Sequence, residues 1–191
     1  MALKIVTPPA VEPLAVADAI TNLHIKVDTA DEDALLPIYI AAARRACEHE
    51  TGRRLITQTL MLYLDEFPAA EIDLQVAPVQ SVSSIRYADT LGVQQTISSS
   101  DYVLDSTTIP GWVLPAYGVS WPSSRAVANA IEVTFTAGYG ADGSAVPEDL
   151  KLWMLLHVGH WHANRAAAND RALTALPYVS RLLDPYRILR V

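Results

Sequence analysis

The spacing of hydrophobic residues changes twice along this chain of 191 residues. Between positions 33 and 51 apolar residues recur every three or four positions, as in Leu36, Ile40 and Ala43, which is typical of one face of a helix. The period becomes two at Leu60, Leu62 and Leu64, and Trp153 and Met154 later restore the helical spacing. The pattern therefore predicts an α+β fold in which a helical framework is interrupted by an inserted antiparallel β subdomain.

Three main helices and a short C-terminal helix are predicted. The first covers Leu14–Leu23, the second covers 33–51 before a left-handed cap at Gly52, and the third begins at Pro147 and ends near Asn164. The last helical turn is predicted at Val179–Leu183.

Strands are predicted from Leu55 to Leu64 and at Ile72–Gln75, Val82–Ala88, Val93–Ile97, Tyr102–Leu104, Trp112–Leu114 and Ile131–Thr136. Short spacings between the strands favour antiparallel hairpins. The predicted boundaries are 1–53 for the N-terminal helical part, 54–146 for the β insertion and 147–191 for the C-terminal helical part and tail.

The amino-acid composition excludes several classes of function for this chain. Hydrophobic residues make up 51% of the chain and charged residues 18%, which predicts a folded globular protein. The net charge of −7 disfavours binding to nucleic acid through a broad basic surface. Cys47 is the single cysteine, so no intramolecular disulfide can form and folding in a reducing cytosol is expected. We expect neither an export signal in Met1–Pro13 nor a membrane span.

A histidine cluster is the strongest candidate for chemistry. His157, His160 and His162 lie close together in the predicted third helix, where His157 and His160 could share a face as metal ligands. Further ligands would have to come from Glu48, His49, Glu50 or Cys47 near the end of helix two. Packing beside Trp153 and Trp161 is the favoured interpretation, because aromatic residues at helical spacing usually belong to a core. We therefore predict no metal, no cofactor and no catalytic residue.

Clustered carboxylates also have a structural interpretation. The groups at 31–33 and at 148–149 both lie at predicted helix starts, where negative charge stabilises the helix dipole. The sequence contains no His-Glu-x-x-His motif, phosphate-binding glycine loop or Gly-x-Ser-x-Gly motif. The protein is therefore predicted not to be an enzyme.

Two segments are candidates for interaction. Arg44, Arg45, Arg53 and Arg54 could contact DNA phosphates, an acidic partner or a neighbouring subunit, or they could form a solvated helix end. The tail from 184 to 191 alternates apolar and basic residues, so it could add as a strand or dock in a groove of its own or a neighbouring subunit. Its candidate residues are Tyr186, Arg187, Ile188 and Arg190.

Landmarks along almost the whole chain carry a resemblance to a known family. Each is a short motif, and their order and spacing together are more specific than any one of them. They are residues 31–36, 51–53, 55–59, 78–82, 101–102, 136–140, 146–151, 160–161 with 164–165, and 183–191. In these features the chain resembles the tailed-phage head-tail connector family, in the phiE125 gp8-like and gp6-like group of prophage proteins.

The resemblance implies a structural subunit of a homo-oligomeric ring in the virion, made in the host bacterial cytoplasm. Such a ring would join the portal to the tail or to head-completion proteins, and packaged DNA would pass through it without sequence-specific binding. Two alternatives from other classes are a small metal-dependent enzyme that uses the histidine cluster and a phage regulatory binding module.

Overall fold

The computed structural model describes residues 1–24, 30–164 and 177–188, with the side chains of 30–33 and of 177–178 left out of the description. The chain forms two compact units. A β unit comprises Met1–Ala10 and Thr57–Tyr139, and a helical unit comprises Val11–Ile56 and Gly140–Val191. The predicted α+β class, with helices and an inserted antiparallel β subdomain, is confirmed.

A five-stranded antiparallel sheet dominates the β unit, in the order β1-β2-β8-β4-β5. Its strands are β1 (Ala2–Thr7), β2 (Gln58–Leu64), β4 (Val79–Ala88), β5 (Gln94–Thr96) and β8 (Ile131–Ala137). A second antiparallel sheet of three strands has the order β3-β7-β6, formed by β3 (Ile72–Asp73), β6 (Tyr102–Asp105) and β7 (Trp112–Pro115).

The core of the β unit follows from the period-two pattern. Alternate residues of β2 and β8 are buried, and Leu60 lies opposite Phe135 while Leu62 lies opposite Val133. All four side chains are fully buried. Because successive side chains of a strand point to opposite faces, this alternation fixes which face of the sheet is covered.

The first strand was not predicted from the sequence. Residues 1–53 were assigned to the helical part, whereas β1 pairs with β2 from Ala2 opposite Tyr63 to Thr7 opposite Thr59. Residues 1–10 therefore belong to the β unit. The helical unit also extends to Ile56 and resumes at Gly140, compared with the predicted boundaries at 53 and 147.

The helical unit is built on α1 (Val16–Leu23), α2 (Ala30–Thr51) and α3 (Glu148–Ala163). A short α4 (Pro177–Ser180) is followed by a 3₁₀ helix at Arg181–Tyr186, and another 3₁₀ turn occupies Gly143–Ala145. Leu36, Ile40 and Ala43 are buried on α2, and Leu150, Met154 and Val158 are buried on α3. These are the positions at which the sequence shows helical spacing.

Two helix details differ from prediction. Helix α2 begins at Ala30, three residues before the predicted start, so Pro37 lies inside the helix beyond its first turn. A proline there removes one backbone hydrogen bond to the residue four positions earlier. At the other end of the unit, helical structure was predicted to end at Leu183, whereas the 3₁₀ helix Arg181–Tyr186 continues into the predicted tail and contains Pro185. None of the helices in the described part of the chain is long and apolar enough to cross a membrane.

Candidate functional site

The C-terminal segment docks on the helical unit through Tyr186. The Arg53 Nε donates a hydrogen bond to the Tyr186 carbonyl oxygen at 2.6 Å, and the guanidinium lies 5.7 Å from the centre of the tyrosine ring. The Tyr186 hydroxyl donates to a carboxylate oxygen of Asp149 at 3.2 Å. Desolvation and this carboxylate raise the pKa of Tyr186. The segment is thus bound to the exit of α2 and to the first turn of α3.

Ile188 and Arg187 extend this docking. The Ile188 N–H donates to the Thr51 carbonyl oxygen at 2.9 Å, which caps the end of α2. Gly52 has a φ of +72°, and a Cβ built on it would lie 3.3 Å from the Ile188 side chain. The Arg187 guanidinium lies 3.4 Å from the Glu50 carboxylate. The structure therefore places Tyr186, Arg187 and Ile188 against their own subunit, while Arg190 lies outside the described residues.

The four arginines near the end of α2 do not form one basic surface. Arg44 is buried, and its guanidinium lies 2.7 Å from Glu12 and 3.3 Å from Glu48. Arg54 lies 3.6 Å from the same Glu48 carboxylate. Arg45 is different, because its side chain is exposed and its Nε donates to the Ala41 carbonyl oxygen at 3.3 Å.

Glu48 is the centre of that charged network. Only 3% of its side chain is exposed, and its second carboxylate oxygen accepts a hydrogen bond from the Leu55 N–H at 3.1 Å. Burial of a charge is tolerated when ion pairs and hydrogen bonds replace the lost water. From the sequence, Glu48 was a candidate only as a metal ligand, because the spacing along the chain does not indicate its pairing with Arg54.

The histidine cluster is packed against aromatic rings. The His157 ring stacks on Trp153 with centroids 3.7 Å apart, and its Nδ1 lies 2.9 Å from the Trp153 carbonyl oxygen. Trp161 contacts the same histidine edge-on at 5.9 Å. His160 accepts a hydrogen bond at its carbonyl oxygen from the Asn164 side chain at 2.9 Å. This arrangement agrees with the packing interpretation of the cluster.

A metal site is not assembled in the described part of the chain, where no three histidine, cysteine or acidic residues are grouped suitably. Cys47 is fully buried. Burial, with a smaller effect of Glu48 and Glu50, raises the pKa of its thiol to about 12. A neutral thiol is a poor metal ligand and a poor nucleophile.

A groove of about 760 Å³ lies elsewhere in the helical unit, and the sequence did not predict it. Its lining comes from residues 12–22, from the 3₁₀ turn at 142–144 and from α3 up to Leu155. Gly143 permits the close approach of the turn, because a Cβ there would lie 2.2 Å from the Pro13 carbonyl oxygen. Only tertiary packing brings these three segments together.

Solved structures of gene transfer agent (GTA) particles contain chains similar to this one. A chain in the neck of an empty GTA particle, computed with C6 symmetry, is 30% identical with a TM-score of 0.82. A chain in the virion of the native GTA particle is also 30% identical, with a TM-score of 0.81, and one in the native neck computed with C12 symmetry is 27% identical, with a TM-score of 0.76. Each comparison covers 100% of this chain and 97% of the other. No protein-family profile and no curated protein sequence matches the chain.

Proposed function

The chain belongs to the family of phage-like neck proteins that these gene transfer agent subunits represent, and on this premise we propose that it forms a head-tail connector ring. In this proposal the ring joins the portal to the tail or to head-completion proteins during virion assembly. The narrower phiE125 gp8-like and gp6-like assignment is part of the proposal.

The observation that carries the proposal is the extent of the similarity. Identity of 30% extends over the whole chain and over 97% of the neck chain, so both the helical unit and the β unit have counterparts there. A likeness limited to the helices would have left the role of the insertion open. Here the inserted sheet is part of the shared architecture.

The ring form is supported by the symmetry of the similar assemblies, which were computed with C6 and C12 symmetry. Cyclic rings of more than two copies require two different faces on each subunit, which meet head to tail until the rotation closes.

The charge distribution supports a DNA conduit. The β unit contains eight acidic residues and three basic ones, Lys4, Arg86 and Arg125, whereas the helical unit is closer to balance. A wall rich in carboxylates repels the phosphates of DNA and would let a duplex pass without binding. We propose that part of the β unit faces this conduit.

A non-enzymatic role is part of the same proposal. The groups most able to carry chemistry have structural contacts: His157 stacks on Trp153, and the buried Glu48 pairs with Arg44 and Arg54. The buried thiol of Cys47 has a pKa far above neutrality. These structural contacts account for the three residues, so a catalytic role is not needed to explain them.

The experiment is reconstitution on portal-bearing, DNA-filled particles that lack this subunit. Addition of the purified chain is expected to place a closed ring at the portal vertex, visible by cryo-electron microscopy, and to permit tail attachment. The matched control is the same chain added to particles without a portal, where no ring should bind. Absence of vertex density over a range of salt concentrations would contradict the proposal.

A further inference from the structure

Part of the lining of the groove in the helical unit is apolar. Leu14 and Leu155 are half-buried there, and Leu152 is 45% exposed. Leu156, one residue beyond the lining, is 36% exposed. Exposed leucines in a concave surface of about 760 Å³ offer area that a partner could remove from water.

The lining of the groove is also acidic. Five carboxylates and one lysine line the groove, and several of the carboxylates have partners within the subunit. Glu12 pairs with Arg44, Glu148 with Lys151, and Asp149 accepts a hydrogen bond from Tyr186. Asp142 accepts one from the Ser144 N–H. Asp18 is exposed, and no ion pair or hydrogen bond joins its carboxylate to another described residue.

Helix α2 presents a face with the opposite character. Ile38, Ala42, Arg45 and His49 recur at three- and four-residue spacing and so form one stripe along the helix. Ile38 is 58% exposed, and Arg45 and His49 are exposed as well. No described carboxylate forms an ion pair with Arg45. The stripe thus combines an exposed aliphatic side chain with an exposed cation about 10 Å further along the helix axis.

We infer that the groove binds the Ile38–Arg45 face of α2 from a second copy of this chain. The inference rests on the proposed ring and names the two faces that close it. Ile38 covers the exposed leucines, and the Arg45 guanidinium lies against the carboxylate of Asp18. Charge complementarity favours this occupant, because a groove lined by carboxylates and leucines matches a stripe that carries an exposed arginine and an exposed apolar residue.

The two faces are built from different residues, so the contact is head to tail. A contact of this kind leaves one groove and one α2 face free on every dimer, and each can accept a further copy. Closure into a ring therefore needs no third contact type. An acidic small-molecule ligand is disfavoured by the same carboxylates.

Charge exchange tests the pairing. Arg45→Glu and Asp18→Arg should each weaken self-association by roughly tenfold or more, because each places like charges opposite one another. The double variant should recover most of the lost association. Mass photometry and sedimentation over a concentration series measure it, and circular dichroism checks that the exposed substitutions leave folding unchanged. Arg181→Glu is the matched control, since it reverses an exposed arginine of the same unit outside both faces.

A second pair of variants tests the apolar contact. Ile38→Asp should prevent association, whereas Ile109→Asp should not, although Ile109 is similarly exposed at 56%. Mixing one chain that carries Ile38→Cys with another that carries Leu152→Cys should give a disulfide-linked dimer, and neither chain alone should do so.

Three results would overturn the inference: single charge reversals that assemble like the wild type, a double variant no better than the singles, or a wild-type chain that stays monomeric at all concentrations. None of these three results decides the proposed connector function, which has a separate test. Vertex density of wild-type protein on portal-bearing particles would still support the connector, with different contacts between copies.

Discussion

Replacement of Glu48 by alanine should destabilise the helical unit more than any other single charge removal near the end of α2. The Glu48 carboxylate is 3% exposed and lies 3.3 Å from Arg44 and 3.6 Å from Arg54. It also accepts a hydrogen bond from the Leu55 N–H, at the exit from the helix. Alanine removes all three interactions, so the guanidinium groups of Arg44 and Arg54 both lose their ion pair with Glu48.

The expected loss in the free energy of unfolding depends on which ion pairs remain in the variant. Removal of one partner from a buried ion pair costs about 3–5 kcal/mol, because the other charge stays buried without compensation. Arg44 retains Glu12 at 2.7 Å, so we expect the lower end, about 3 kcal/mol. For a chain of this size that corresponds to a decrease in Tm of roughly 6–12 °C.

Urea unfolding followed by circular dichroism at 222 nm reports the helices. The control is Glu50→Ala, two residues away on the same helix, whose carboxylate is 48% exposed and pairs with Arg187 at 3.4 Å. An exposed pair of this kind contributes at most about 1 kcal/mol. If Glu48→Ala unfolds at the same urea concentration as Glu50→Ala, the buried ion pairs of Glu48 do not stabilise the helical unit more than an exposed pair does.

Three further outcomes are expected. Arg53→Ala should release the C-terminal segment, because it removes a charge-assisted hydrogen bond that contributes roughly 1.5–3 kcal/mol. Limited proteolysis should then cleave the chain faster after residue 180. Tyr186→Phe keeps the carbonyl acceptor and should not increase the rate of cleavage. Gly143→Ala should lower Tm and deform the groove, because its Cβ would collide with the backbone of Pro13, which differential scanning calorimetry and a crystal structure can check. Cys47 should react with a thiol reagent at neutral pH only at the rate of unfolding, since its thiol is buried and protonated below a pKa of about 12; fast labelling of the native chain would contradict this.

Local periodicity predicted much of the fold. Apolar residues every three or four positions identified α2 and α3, and the alternation at Leu60, Leu62 and Leu64 identified β2. These signals are local because burial of one face repeats with the period of the element. Gly52 was also predicted correctly as the left-handed residue after α2, with a φ of +72°.

Strand order could not be predicted in the same way. Short spacings suggested hairpins, and β4 with β5 and β6 with β7 do pair with their neighbours in sequence. Strand β2, however, pairs with β8, which follows far along the chain, and with β1. The N-terminal residues carry no alternation of buried and exposed positions, since β1 is an edge strand with Ile5 and Val6 about half exposed.

The candidate site was also predicted only in part from the sequence. Tyr186, Arg187 and Ile188 were identified as interaction candidates from their composition, but the sequence left open whether they dock within or across subunits. The arginine group looked continuous along the chain, yet Arg44 and Arg54 turn into a buried network while Arg45 stays exposed. Such differences depend on contacts between residues far apart in sequence, as with Glu12 and Arg44.

We propose that this chain forms a ring in the neck of a phage-like particle. The most direct measurement is cryo-electron microscopy of the purified chain bound to portal-bearing particles, processed without imposed symmetry. A closed ring of identical subunits should be visible at the portal vertex. Single subunits scattered over the capsid surface, or particles that bind none, would contradict it.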